Sequence, residues 1–378
     1  MIFRPNLSIA ASLVALALLT ACGGKDSASA PKPAGAKRLA APLPAVSLLQ
    51  GPQHRFQFTL VNNGPVEGLR EMNVTIRSAA FQNGEGQWCP VPLPATAVSV
   101  DLLNSAPIPL AVSASLPKDR YSALRLTFDD DATLKLADGT QKALHLSREF
   151  ATKGIALEPS FTPDGQDLWL VLDLLPALDA PRGVPNLLPG KAQLYDKAQT
   201  TTLTGVVLDQ ATQAPLAGVA VWAQSASETL IRQTVTDAKG HFTLALLPPG
   251  NTRVVTQPVL GERALATTVV LVKLPLPTGR PEPLVLACAP CPAPGEVRGL
   301  LPQNLGPGRS LVLELMNFPE DGGAPVLVRR TLAGAGDTTY GFRQVPPGRY
   351  RLRTTPSFGA ATHTSLFQVT GATHQEDL

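Results

Sequence analysis

Gln233-Thr-Val-Thr-Asp237-Ala-Lys-Gly240-His-Phe242-Thr-Leu244-Ala-Leu-Leu247-Pro248-Pro249-Gly250 is the stretch whose reading decides the fold. Asp237 to Gly240 has the composition of a tight hairpin turn, because Asp and Gly tolerate positive φ. Phe242 and Leu244 then alternate with polar residues, the period of a half-buried strand, and Pro249-Gly250 suits the central positions of a type II turn. Upstream, Leu203-Thr-Gly-Val-Val-Leu208 reads as a strand leading to Pro215-Leu-Ala-Gly218-Val-Ala-Val-Trp222, where Pro215 and Gly218 shape the turn into the next strand. A degenerate copy follows. Tyr340-Gly-Phe342-Arg-Gln-Val345-Pro346-Pro347-Gly348 mirrors Phe242 to Gly250, and Gly295-Glu-Val-Arg-Gly299 mirrors the strand around Gly205, while Gly336-Asp337-Thr338 stands where the hairpin turn would be.

The rest of the chain fits that reading. The 37 prolines and 31 glycines of its 378 residues punctuate short β-branched runs, which favours strands and turns over helices. Alternation marks further strands at His54–Leu60, Met72–Arg77 and Ala123–Phe128, with turn signals at Asn83-Gly84 and Asp138-Gly139. Thr133–Ala137, Ala143–Leu146 and Leu168–Asp173 would complete an antiparallel sandwich. A net charge of +3 with 16% charged residues offers no basic surface of the kind nucleic acid needs.

The 203–250 segment resembles the carboxypeptidase regulatory-like domain, a transthyretin-like sandwich with a carbohydrate-binding-like fold. The earlier region resembles a bacterial lipoprotein family of unknown function, DUF4382. The matching residues are Val100-Asp-Leu-Leu103, Leu116-Pro-Lys-Asp-Arg-Tyr-Ser-Ala-Leu-Arg-Leu126, Asp138-Gly-Thr140 and Leu170-Val-Leu-Asp173. That family carries Asp-Ala-Pro after its first strand, whereas this chain has Asn62-Asn63-Gly64-Pro65. Neither resemblance implies an activity.

Leu19-Thr20-Ala21-Cys22 closes the apolar run from Leu7 to Leu19 after Arg4, which is the pattern of a lipobox. It predicts a leader cut before Cys22 and a diacylglyceryl chain on that thiol. Gly23-Gly24 in place of an aspartate suits the outer membrane of a Gram-negative host. From Gly23 to about Ala45 the Ala, Pro, Lys and Ser content suits a flexible tether. The expected organisation is therefore all-β: a leader at 1–21, a tether at 22–46, and antiparallel β-sandwiches in tandem at 47–178, 200–287 and, as the degenerate copy, 293–372.

Chemistry is harder to find. No His-Glu-x-x-His, Gly-x-Ser-x-Gly or phosphate-cradling loop is present, and His54, His145, His241, His363 and His374 are scattered. No cofactor or metal is expected. Asp129-Asp130-Asp131 lacks the alternation of a calcium loop and reads as a solvated turn, as do Asp164 and Asp167. Cys288-Ala-Pro-Cys291, between Pro-rich flanks in an oxidising compartment, reads first as a local disulfide, with a redox role, a metal role or free thiols as alternatives. Cys89 is left unpaired. Of the three tryptophans, Trp169 and Trp222 lie in apolar runs and suit core packing, which leaves Trp88 as the candidate sugar platform. The leading expectation is a non-enzymatic envelope lipoprotein, anchored to the membrane through Cys22 and contacting envelope proteins or polysaccharide. Alternatives are a surface glycan-binding lipoprotein, or an enzyme with an unrecognised site in the first sandwich around Asp130 or His145.

Overall fold

A computed structural model of the chain describes residues 52–66, 69–103, 106–174, 178–179, 186–187, 191–226, 229–260, 263–276, 283–291, 293–302, 310–320, 322–334, 337–356 and 361–378. The leader, the tether and Cys22 lie outside the described residues, as does Gly336. Three β modules fall within one compact unit that spans Val46–Leu378.

In the first module the main sheet runs in the order Ile108–Pro117, Gln53–Asn62, Asp167–Leu172, Lys191–Asp196, Ile155–Phe161, Tyr121–Phe128, Leu69–Gln82, Thr133–Leu136, Gln141–Ala143, beside a small sheet of Leu178–Asp179, Asn186–Leu187 and His145–Leu146. Trp88–Val91 and Val98–Asp101 also pair with the long strand Leu69–Gln82. The sheet rolls over so that strands distant in this order face one another. Phe56 and Phe58 meet Phe81 at ring-centroid distances of 5.7 and 4.8 Å, and Phe161 stands 5.5 Å from both Phe56 and Tyr121. Such pairs add about 0.5–1.5 kcal/mol each beyond their burial. Alternation on Leu69–Gln82 supplies the rest, with Met72, Val74 and Ile76 inward.

Two sequence expectations change here. The module is not purely antiparallel, since Gln53–Asn62 runs parallel to Asp167–Leu172, and Ile155–Phe161 parallel to Lys191–Asp196. Its end lies at Asp196, not 178. Lys191–Asp196 inserts between Asp167–Leu172 and Ile155–Phe161 and satisfies the backbone groups of both. Ala192 and Leu194 turn into the core. Within the Pro-rich stretch, Leu178–Asp179 pairs with Asn186–Leu187, which in turn runs parallel to His145–Leu146 of the first module. A short helix, Arg148–Lys153, is capped by Ser147, whose Oγ accepts from Phe150 N at 3.0 Å.

The second and third modules share one topology. The second stacks a sheet in the order His241–Leu247, Thr201–Asp209, Leu284–Cys288 on another in the order Leu230–Val235, Ala220–Ser225, Gly250–Thr256, Val269–Leu274. The third repeats this with Thr339–Val345, Gly295–Leu300, Thr373–Gln375 on Val326–Ala333, Leu311–Phe318, Gly348–Pro356, and short strands Thr362–His363 and Phe367–Val369 beside the last. In both, the closing strand runs parallel to the first. The third module therefore extends past residue 372 to the final residue, where Leu378 N donates to Leu300 O at 3.0 Å.

Details of packing repeat as well. Gly205 pairs with Phe242 and Gly299 with Tyr340. A Cβ on either glycine would fall inside contact distance of that aromatic ring, so the ring fills the space a side chain would take. Both modules also carry a bulge at the same place. The register slips between Thr201 and Leu203 and between Gly295 and Val297, and the bulged residues Leu246 and Gln344 stand at φ 60° and 57°.

Candidate functional site

Among the described residues no group of three His, Cys, Asp or Glu side chains could hold a metal ion, and no helix is long and apolar enough to cross a membrane. Trp88 is half-buried, and the Arg125 guanidinium lies over its ring at 4.4 Å from the centroid. That cation takes a face a sugar would need. Trp169 carries Lys197 Nζ at 4.7 Å, and its indole N–H donates to Asp167 Oδ1 at 2.9 Å. Asp129 is held by Arg77 and its pKa is lowered by that hydrogen bond.

The cysteine pair is corrected. Cys288 and Cys291 are free thiols, as is Cys89. The segment runs extended alongside residues 264–266, with Ala266 N donating to Ala289 O and Cys291 N to Ala264 O. Over three extended residues the Cα atoms separate by ~10 Å, beyond disulfide reach. Cys288 turns into the core and its thiol contacts Thr256 Oγ1 at 3.5 Å. Cys89 is buried beside Tyr121, and burial raises its thiol pKa.

One open polar cleft of about 330 Å³ lies on the first module, lined by Asn73, Thr75, Ser99, Asp101 and Asp131 with Val74 and Val100. Thr75 and Ser99 hydroxyls are 3.1 Å apart, and Thr75 Oγ1 donates to Asp131 at 3.5 Å. Asp101 Oδ1 is taken by the N–H groups of Met72 and Leu103, at 2.8 and 2.9 Å. This explains an aspartate in Val100-Asp-Leu-Leu103 as a turn former. Neither His145 nor Asp130 lines this cleft.

Buried polar chemistry is concentrated at the joints between modules, where no sequence signal pointed. Between the first and second, Arg232 Nη1 donates to Asn62 O at 3.0 Å, Gln233 N to Asn63 O at 3.2 Å, and Gln233 Nε2 to Pro65 O at 2.8 Å. Asn62 in turn donates to the carbonyls of Gly64 and Leu103. An aspartate at position 62 could not donate, so these two carbonyls require the amide of Asn62. Gly64 sits at φ +130°, and a Cβ there would strike Gln233. Burial lowers the Arg232 pKa to about 10 and raises that of Tyr195 to about 12. Beside them Leu246, turned outward by its bulge, packs with Val61 and Val171.

Between the second and third modules, Trp222, 3% exposed, packs with Leu230, Met316 and Leu327. The apolar run around Trp222 indicated burial, but what covers the ring is the neighbouring module. The strand Val326–Ala333 slips register at Met316, and the Leu327 peptide is met by the Gln224 amide instead. Gln224 Nε2 donates to Leu327 O at 2.6 Å, and Leu327 N donates to Gln224 Oε1 at 3.1 Å.

Between the third and first modules, Arg330 clasps Asp173 through Nη1–Oδ1 at 3.1 Å and Nη2–Oδ2 at 2.7 Å. Glu314 lies 3.4 Å from Arg330 Nε and 2.7 Å from Arg353 Nε. Burial opposes the Arg330 charge, yet Asp173 and Glu314 outweigh it and its pKa is raised. Asp173 closes the motif Leu170-Val-Leu-Asp173, so a family residue is used here to seat another module.

Architecture and joints define a tandem β-sandwich protein with fused modules. Residues 53–174 match the family described as a domain of unknown function (DUF4382), and residues 202–272 match the carboxypeptidase regulatory-like domain, in that order. No curated protein matches the chain. Among solved structures, the Bacillus anthracis TIE protein is 10% identical, with 86% of this chain and 50% of that one covered and a TM-score of 0.20. A streptococcal ancillary pilin is 13% identical over 85% of this chain and 98% of its own, at 0.20. A DUF3823 family protein from Parabacteroides merdae is 12% identical over 45% and 98%, at 0.19. The chain spans half the length of the first of these.

Proposed function

We infer that the chain is a non-enzymatic, membrane-anchored lipoprotein of the cell envelope, whose three β modules are locked into one structural body that presents the first module. The observation that carries this reading is the set of buried joints. Arg330 with Asp173, Gln224 with Leu327 and Arg232 with Asn62 tie each module to both others. Free linkers would serve a set of independent binding domains better than this arrangement does. The anchor is the lipid on Cys22, and the address is the outer membrane of a Gram-negative host.

Mass spectrometry of the N-terminal peptide and membrane fractionation test the anchor. An acylated Cys22 and release of a Cys22→Ser variant into the soluble fraction are expected. An unmodified Cys22, or a variant that stays with the membrane, overturns it. Limited proteolysis tests the body: cleavage between modules before unfolding would sink it.

A second reading, recognition of a polyhydroxylated ligand, rests on the hydroxyl-lined cleft at Thr75 and Ser99. Binding to a glycan panel that is insensitive to salt and lost in Ser99→Ala would carry it.

A further inference from the structure

Three neighbouring stretches of chain build the polar cleft of the first module. Alternation along Leu69–Gln82 buries Met72, Val74 and Ile76 and sets Asn73, Thr75 and Arg77 on the outer face of the sheet. Antiparallel pairing places Asp101 opposite Asn73 and Ser99 opposite Thr75 on one side. On the other side Asp129 N donates to Thr75 O at 3.0 Å, which brings the turn carrying Asp131 against the same strand. Asn73 and Thr75 are thus the floor, with Ser99 and Asp101 as one wall and Asp131 as the other.

Most hydrogens in this cleft are already committed. Thr75 Oγ1 donates to Asp131 Oδ2 at 3.5 Å, the long end of the range. A hydroxyl carries one hydrogen, so in the 3.1 Å contact between Thr75 and Ser99 it is Ser99 that donates. One hydrogen of the Asn73 amide goes to Glu71 at 3.3 Å. Asp101 Oδ1 accepts from Met72 N and Leu103 N, and Asp101 Oδ2 has no partner among the described residues. What remains for a ligand is mainly acceptors. The negative charge is also uncompensated. Arg77 lies 2.5 Å from Asp129 and Lys135 2.7 Å from Glu71, so the cations flanking this face are taken. Asp131 acts on Arg77 only through space.

We propose that the cleft takes neutral glycans by accepting their hydroxyl hydrogens, and that Asp101 and Asp131 exclude glycans bearing carboxylate, sulfate or phosphate groups. This rests on the reading of the cleft as a polyol site and assigns the class of glycan it selects. Neighbouring hydroxyls of one sugar ring can donate to the two oxygens of Asp131, and a hydrogen bond to an ionised acceptor is about twice as strong as one between neutral groups. An anionic substituent has the opposite experience. It finds few free donors and two carboxylates of its own sign, and this repulsion weakens as salt screens it. Selectivity therefore comes from what the cleft rejects as much as from what it holds.

The test is a glycan array of matched pairs, each a neutral oligosaccharide and the uronic-acid oligosaccharide of the same length and linkage, probed with the full chain at low and high salt. A neutral member should bind equally at both salts, and its acidic partner roughly tenfold or more weaker at low salt, about 1.4 kcal/mol. Asp131→Asn keeps the shape and removes a charge, so it should narrow the gap mainly by admitting the acidic member, whereas Ser99→Ala should weaken the neutral one. Unchanged thermal midpoints show that both variants are folded. Acidic members that bind as well as neutral ones overturn the proposal and leave the polyol reading standing, while failure of every glycan to bind overturns both. Binding confined to amine-bearing glycans and lost at high salt also overturns it, as does binding that survives in the Ser99→Ala, Asp131→Asn double variant.

Discussion

Leu246 in the second module and Gln344 in the third occupy the same bulge, at nearly the same positive φ, four residues before the glycine of Pro-Pro-Gly. The backbones agree while the side chains diverge. Leu246 reaches into Val61 and Val171 and ties the second module to the first by apolar contact. The third module is tied to that same first module by charge, through Arg330 and Asp173. Loss of the Asp237 turn is tolerated for a similar reason. In the second module Asp237 Oδ1 accepts from Lys239 and His241 N–H groups, whereas in the third Asp337 Oδ2 accepts from Gly334 N. A copied sandwich can change its turns freely, provided the glycine–aromatic pair and the bulge persist, and the freed positions specialise at the joints.

The sharpest way to break this contrast is Arg330→Ala. It leaves Asp173 and Glu314 without their shared partner, and losing one member of a buried ionic group costs about 3–5 kcal/mol. Since Asp173 is about a quarter exposed, the lower end applies. Thermal melting of the double variant Arg330→Met, Asp173→Asn should recover much of the loss, because neutralising both partners removes the orphan. A double variant no better than the single would mean that the ion pair does not hold the third module.

Leu246→Ala should cost about 2–4 kcal/mol by the cavity it opens. Its effect should not change with salt, unlike that of an exposed charge. Gln224→Ala comes next at about 1–3 kcal/mol, because the Leu327 N–H and C=O lose the amide that satisfies both. Gln224→Glu would set a carboxylate against the Leu327 carbonyl at a fully buried position, so at neutral pH melting should place it below Ala.

Much of the fold was legible because alternation and turn chemistry act locally. Leu203–Leu208 and Phe242–Leu247 are strands for the reasons their spacing gives, and the Pro-Pro-Gly repeat exposes the second copy. Lys191–Asp196 was missed although Ala192 and Leu194 alternate correctly, since prolines before it suggest a linker. Parallel pairings were missed because strand order is decided by distant partners. Of the joints, Trp222 was legible as buried but not as shared. Leu246 at positive φ was illegible, because a bulge normally advertises itself with glycine. Cys288 and Cys291 misled because spacing alone ignores the extended backbone that separates them.

The smallest expected effect separates the second module from the third by acid. Asp209 closes the strand Thr201–Asp209, accepting from Arg263 Nη2 at 2.7 Å and from Ala211 and Thr212 N–H. The Arg263 hydrogen bond, with those backbone bonds, lowers its pKa to about 2. An unfolded aspartate titrates near ~3.9. A carboxylate whose folded pKa is depressed contributes stability that is complete above about 4 and is lost as the pH falls toward 2. At the end of the corresponding strand in the third module, Leu300 N donates to Asp377 Oδ1, for which no arginine partner is seen among the described residues. The parent's thermal midpoint should therefore drop between pH 4 and pH 2. Arg263→Ala should start lower at neutral pH and drop less across that window, because the largest cause of the shift is gone. If the joints make the modules melt together, the whole transition moves with Asp209. A transition that splits below pH 4, with one part insensitive to Arg263→Ala, would mean that the second and third modules are joined more weakly than Trp222 and Gln224 imply.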